Sequence, residues 1–225
     1  MKKVYGILCT TLALAMALTA CGGNGGGAAT PAPATPAPAT QAPAPESAAP
    51  APESAAPAPE GGGSEVSGDA IQSPILVTTC GQSPGAVMIN MVAVQGGFTS
   101  ANDNTLTAED FDAGDYKTLI VTTGTSMKGM GAAGTDVDSE IARCEALIKA
   151  AKDAGLTIVG AHVEGMARRS DNSDQRSIDA VLALSDVILV VEESDSDGFF
   201  SGYAADHDLP IITVKDALEI SSILK

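Results

Sequence analysis

Tyr116-Lys-Thr-Leu-Ile-Val-Thr-Thr123 and Leu156-Thr-Ile-Val-Gly-Ala-His162 are two apolar runs of strand length, and what lies between them decides the fold. From Ser139 to Ala154 the residues Ile141, Cys144, Ile148 and Ala151 fall on one helical face, with Leu147 beside them. Gly155 follows as a helix stop. Strand, amphipathic helix and strand in that order make a βαβ unit, whose strands lie parallel. Runs nearly continuous in Val, Ile, Leu and Thr belong to a sheet covered on both faces.

The same alternation extends outward. Upstream, Ile75–Thr79 reads as a strand. A helix follows from Pro84 to Gln95, with Ser83 placed to cap it, Pro84 at its first position and Gly96-Gly97 ending it. A short strand is expected near Gly97–Ser100 and a single helical turn at Thr107–Phe111. Downstream come a helix at Asp174–Leu184, a strand at Asp186–Glu192, a short helix at Gly198–His207, a strand at Pro210–Val214 and a helix at Ala217–Leu224. The expectation is an α/β domain over residues 69–225. It is a three-layer, doubly wound, mostly parallel sheet of five or six strands, flavodoxin-like or Rossmann-like in strand order.

Residues 1–68 have a different character. Ten of the 13 prolines lie between Pro31 and Pro59, and Ala29–Pro33 recurs as Ala34–Pro38, as Pro45–Ala51 does as Pro52–Ala58. Such a composition buries too little apolar surface to offset the entropy of ordering, and alternating proline favours extended polyproline II. Residues 21–68 therefore read as a tether. Ahead of it, Lys2 and Lys3 precede an apolar run from Ile7 to Leu18, too short for a spanning helix and right for a secretory signal over residues 1–20. The run ends Leu18-Thr-Ala-Cys21, which resembles the lipobox of bacterial lipoproteins. The resemblance implies cleavage before Cys21, lipidation of its sulfur and, as a rule, acylation of the new amine. It also implies a cell-membrane location on the extracytoplasmic face, with the membrane as a partner through the N-terminal lipid. Each buried CH₂ contributes about 0.8 kcal/mol, so two or three chains hold the protein firmly.

The formal charge is −16. Loss of Lys2 and Lys3 with the signal leaves ten basic residues against 28 acidic ones. Such a surface excludes nucleic acid and anionic headgroups as partners. Export permits a disulfide, but Cys80 at a strand end and Cys144 on a helix stripe each read as a buried thiol.

In open α/β sheets ligands bind outside the carboxyl ends of the strands, and the loops there are rich in glycine and polar residues. After the third strand, Gly124–Gly134 carries Ser126, Lys128, Gly129, Gly131 and Gly134. Glycines let backbone N–H groups turn toward an anion and a lysine adds a point charge. The segment is no Walker loop, and its Gly-x-Gly-x-x-Gly spacing stands after the wrong strand. Its other reading is a loop that only needs glycine conformations. After the fourth strand come Arg168 and Arg169, with Arg176 close behind. Arginine forks bind carboxylate and phosphate, or else neutralise Glu164, Asp171, Asp174, Glu193 and Asp195 in a surface network. His162 ends a strand, as a backbone-bonded core histidine or as a weak acid–base candidate. Two histidines argue against a transition-metal site, Asp195–Gly198 lacks the calcium-loop spacing, and no Gly-x-Ser-x-Gly elbow exists. No cofactor is expected. In particular, no aromatic residue is placed to sandwich a flavin.

Ser126–Gly134 and His162–Arg169, followed by Ser173-Asp174, resemble the signature of a bacterial domain of unknown function found in secreted or lipid-anchored proteins. That resemblance covers about Ser73 to Lys225 and implies fold and location but no activity. The family pattern has glycine where this chain has Glu164 and Ser170. The functional expectation is a non-enzymatic domain binding a small anionic ligand through Ser126, Lys128, Gly129, Gly131, Gly134, His162, Arg168 and Arg169. The alternatives are a surface protein-interaction module, or a hydrolase or transferase on a phosphorylated or carboxylated substrate with His162 as acid–base.

Overall fold

A computed structural model describes residues 70–225 of the chain. The expected signal peptide, Cys21 and the expected tether lie outside the described residues. The described chain forms one six-stranded, all-parallel sheet in the order β2-β1-β3-β4-β5-β6. Its strands are β1 (Ile75–Thr79), β2 (Ser100–Asn102), β3 (Thr118–Thr122), β4 (Thr157–His162), β5 (Val187–Val191) and β6 (Ile211–Val214). Its helices are α1 (Gly85–Gln95), α2 (Met127–Ala133), α3 (Val137–Asp153), α4 (Asn172–Leu182), α5 (Phe199–Asp206) and α6 (Ile220–Ile223). This is the flavodoxin-like order with a sixth strand added at one edge. No helix among the described residues is long and apolar enough to cross a membrane.

Strand periodicity builds the two cores. Along β5, Val187, Leu189 and Val191 enter a cluster with Ala86, Ile89, Val92 and Ala93 of α1 and Ile220 of α6. Ile188 and Val190 face the other way, onto Ile178 and Leu182 of α4 and Phe200 of α5. Leu119, Val121 and Ile158 pack on Cys144, Leu147, Ile148 and Ala151 of α3. Every residue of β1, β3 and β5 is buried, which explains why those strands read as continuous apolar runs.

Several element boundaries depart from the expectations, each for a physical reason. The segment 124–134 is not a loop. Ser126 is extended and its Oγ accepts from the Gly129 N–H at 3.1 Å, opening α2, while Met130 is buried beneath the helix. The Gly-x-Gly-x-x-Gly spacing is thus the body and end of a helix rather than a phosphate loop. Ser83 does not cap α1: it is buried, and the Glu164 carboxylate accepts from the Gly85 N–H at 2.8 Å instead. Asp136 caps α3, which begins two residues before the expected Ser139, and Asp171 caps α4. The short strand falls at Ser100–Asn102, residues 108–110 form a single turn as expected, and the last helix breaks into a 3₁₀ turn and α6.

Candidate functional site

Strand order reverses between β1 and β3, so the switch-point crevice of the fold lies between the loops after Thr79 and Thr122. Here those loops are joined. Gln82 and Thr125 form an antiparallel bridge, and the Ser126 N–H donates to the Gly81 carbonyl at 2.8 Å. Gly81 sits at φ +119, and a Cβ there would lie 2.7 Å from the Gly124 carbonyl oxygen. Gly129 lets α2 rest on the Gln82 carbonyl, which any Cβ would strike. Gln82 itself holds φ +59. Its side-chain amide donates to the Asn104 carbonyl at 2.8 Å and to Glu140 at 3.0 Å, so a conformation that costs a non-glycine residue is fixed from two sides.

Beneath these loops lie two buried acids. Glu140 is 2% exposed and accepts from the Gly81 N–H at 3.1 Å, the Gln82 amide at 3.0 Å and Arg143 Nη2 at 2.9 Å. Arg143 also donates to the carbonyls of Thr79 at 2.5 Å and Leu106 at 2.9 Å. Burial works against its charge, but the hydrogen bond and field of Glu140 outweigh burial and hold the guanidinium ionised. Asp174 is also 2% exposed. It accepts from the Thr125 N–H and Oγ1, both at 2.7 Å, and from the Ser170 N–H at 3.1 Å. Burial pushes its carboxyl up, yet the donors from Thr125 and Ser170 together bring it below its ordinary 3.8. Ser177 completes the seam, donating to the Cys80 carbonyl and accepting from the Gly124 N–H at 3.2 Å.

The residues picked out from sequence are distributed around this seam. Ser126 is the α2 cap, Lys128 is exposed on α2, and Gly131 and Gly134 face open space. Arg168 reaches Glu164 through Nε at 3.2 Å and the Thr125 carbonyl through Nη1 at 2.7 Å. Arg169 turns away from it: Nη1 donates to Asp197 at 2.6 Å and to the Ser194 carbonyl at 3.0 Å, and the guanidinium lies 4.6 Å over the Phe199 ring. Its Nε is buried without a partner. Arg176 pairs with Asp138. Each of the three arginines thus has a carboxylate partner, and Asp138 and Asp197 are partners that the sequence did not suggest. His162 has no exposed surface. With Nε2–H donating to the Gly165 carbonyl at 3.2 Å, Nδ1 is left to accept from Thr123 Oγ1 at 2.8 Å. Burial lowers its pKa from the ordinary 6.5, which favours this neutral form. Both nitrogens are occupied and the ring stacks on Phe200 at 5.3 Å, so no proton can pass from it to a ligand in this state.

A family model described as Domain of unknown function (DUF6305) matches residues 72–225. The chain belongs to this family. No curated protein matches it. Among solved structures, a GDSL-like lipase from Bacteroides thetaiotaomicron is 9% identical with a TM-score of 0.33. The likeness covers 62% of this chain and 66% of that one, just under two thirds of the lipase, and at that TM-score it assigns no activity.

The surface of the described residues includes three grooves. One of about 530 Å³ lies between α3 and α4 over Ile148 and Leu184, one of about 380 Å³ lies beside β2 against Leu76 and Tyr116, and one of about 230 Å³ lies by Met127, Met130 and Asp136. None of the three is lined by Lys128, Arg168 or Arg169. Among the described residues, no three His, Cys, Asp or Glu side chains gather as a metal ion requires. The outer face of α1 is the unusual surface. The helix has no charged residue, and Val87, Met91 and Val94, spaced i, i+4, i+7, stand 50%, 50% and 52% exposed.

Proposed function

We propose that the protein is a lipoprotein, acylated at Cys21 and held on the extracytoplasmic face of the cell membrane. In this reading residues 22–68 are a spacer, and the DUF6305 domain docks a protein partner through the outer face of α1. The lipobox-like Leu18–Cys21 supports the anchor. One observation carries the interaction reading: in a chain of net charge −16, an uncharged helix presents three half-exposed apolar side chains in one stripe. Helices apolar on all sides are ordinarily covered, and clustered exposed apolar residues mark interaction sites.

Two measurements test this. Labelled palmitate is incorporated by the wild-type chain and not by Cys21→Ala; label retained in the variant removes the anchor. A photoreactive residue at Val87 or Met91 of the anchored protein gives a discrete adduct, one at Asp206 on α5 does not, and Val94→Glu abolishes the α1 adduct. Adducts absent from α1, or equal at both faces, remove the docking reading.

A second reading keeps a small anionic ligand, now at Arg169 alone. It is favoured by the partnerless Nε and by Asp197, an exposed carboxylate on the guanidinium that a ligand carboxylate or phosphate displaces. A thermal-shift panel of phosphate and dicarboxylates tests it. At 100 times its dissociation constant a ligand stabilises by about 2.7 kcal/mol, and a shift that survives Arg169→Ala eliminates the reading.

A further inference from the structure

Cys80 follows the last residue of β1, and Cys144 lies on α3, one helical turn beyond Glu140. The fold brings them together. Cys144 Sγ lies 3.4 Å from the Thr79 carbonyl oxygen, and Cys80 Sγ lies 3.9 Å from the Glu140 carbonyl oxygen. Each sulfur therefore sits against backbone beside, or one turn before, the other cysteine. Both thiols belong to one apolar cluster, at 0% and 1% exposure. Two thiols 64 residues apart in the chain, each set against backbone next to or one turn from the other, are placed as a bridge requires.

We propose that Cys80 and Cys144 are joined by a disulfide in the mature protein. This rests on the export reading above, because the extracytoplasmic side is where such bonds persist. The oxidant is the disulfide of a thiol–disulfide exchange protein. One cysteine thiolate of this chain attacks that disulfide, forming a mixed disulfide and releasing one thiol of the oxidant. The second cysteine, deprotonated, attacks the mixed disulfide, forming the Cys80–Cys144 bond and releasing the oxidant's other thiol. Two electrons pass to the oxidant, and the protons of the two thiols end on its sulfurs. Neither thiol is exposed in the folded domain, so the exchange precedes the closing of α3 over β1. The bond ties the loop after β1 to α3, covalently reinforcing the contact that Glu140 makes with Gly81.

The test uses the full chain exported by its own signal. The protein is acid-quenched, denatured, alkylated without reductant and mapped by mass spectrometry. The expected result is no alkylation at Cys80 or Cys144, and a linked peptide pair lighter than the two thiols by two hydrogen atoms. Both cysteines alkylated in a chain whose Cys21 is acylated overturns the proposal with the export reading intact. If Cys21 is not acylated, the anchor reading fails, and a second arm decides the bridge alone. The denatured chain is refolded in a glutathione redox buffer. The link should form and raise the Tm by on the order of 10 °C over the reduced protein, with no such rise in Cys144→Ser. Two free thiols after refolding overturn it.

Discussion

The carboxyl edge of the sheet and the outer face of α1 invert each other. The edge holds the residue types that bind and react: two adjacent arginines, a histidine, buried acids and clustered glycines. Nearly all are engaged by other parts of the same chain. Glu140 and Asp174 accept backbone and side-chain donors, Arg168 and Arg169 meet carboxylates, and His162 has both nitrogens occupied. The α1 face holds Val and Met and leaves them half-exposed. The difference teaches that residue type locates a polar cluster, while only its bonding shows whether the cluster is available to anything else.

The contrast is broken most forcefully at Glu140. Glu140→Ala leaves the Arg143 guanidinium buried without its carboxylate and strips the acceptor from the Gly81 N–H and the Gln82 amide. Removing one partner of a buried pair costs about 3–5 kcal/mol, a large part of the roughly 5–15 kcal/mol that holds a domain folded. Thermal or urea denaturation followed by circular dichroism should show that loss. A variant melting with the wild type means the seam is solvated and open, and the edge returns as a candidate ligand site.

Asp174 and His162 come next, and pH separates them. Asp174→Asn keeps the shape but replaces one accepting oxygen by a donor facing Thr125 or Ser170, at about 2 kcal/mol. Its folded pKa lies below the ordinary 3.8, so its contribution is full above 3.8 and is lost as pH falls through the folded value. The acid limb of the wild-type stability curve should flatten in the variant. For His162 the folded pKa is also lowered, so the unfolded chain takes up the proton first. Its neutral, bonded form contributes fully above the ordinary 6.5, and stability declines as pH falls below 6.5 toward the folded value. His162→Phe should cost about 1–2 kcal/mol at neutral pH and remove the slope just below 6.5. A slope unchanged in His162→Phe shows that the ring is solvated rather than sealed.

The fold was legible in the sequence because β3, β4 and β5 are buried almost throughout and each carries a run of Val, Ile or Leu. The α2 helix was not legible. Two of its internal positions, Gly129 and Gly131, are glycine, which opposes helix by about 1 kcal/mol each. What forms it is tertiary: the Ser126 cap, buried Met130 and close contact with the Gln82 carbonyl. The seam was hidden for a related reason. Glu140 and Arg143, three residues apart on a helix of an acidic protein, look like a surface ion pair. Nothing local says that the loop after β1 will cover them. Asp171 in front of Asn172-Ser173-Asp174 was a readable cap, and placing the helix start there moves Asp174 inside the first turn, where its carboxylate is free to reach Thr125.

The smallest expected effect on stability lies on α1 and sharpens the comparison from the other side. Val87→Ser, Met91→Ser and Val94→Ser replace side chains already half in water, so each should change stability by no more than about 0.5 kcal/mol. None of these residues belongs to the buried cluster formed by Ala86, Ile89, Val92 and Ala93. A triple variant that melts with the wild type but loses its photo-adduct separates docking from folding, because no core contact has been removed. A triple variant that loses several kcal/mol shows instead that the stripe is covered in the free protein, and the apolar face then belongs to the core of this chain rather than to a partner.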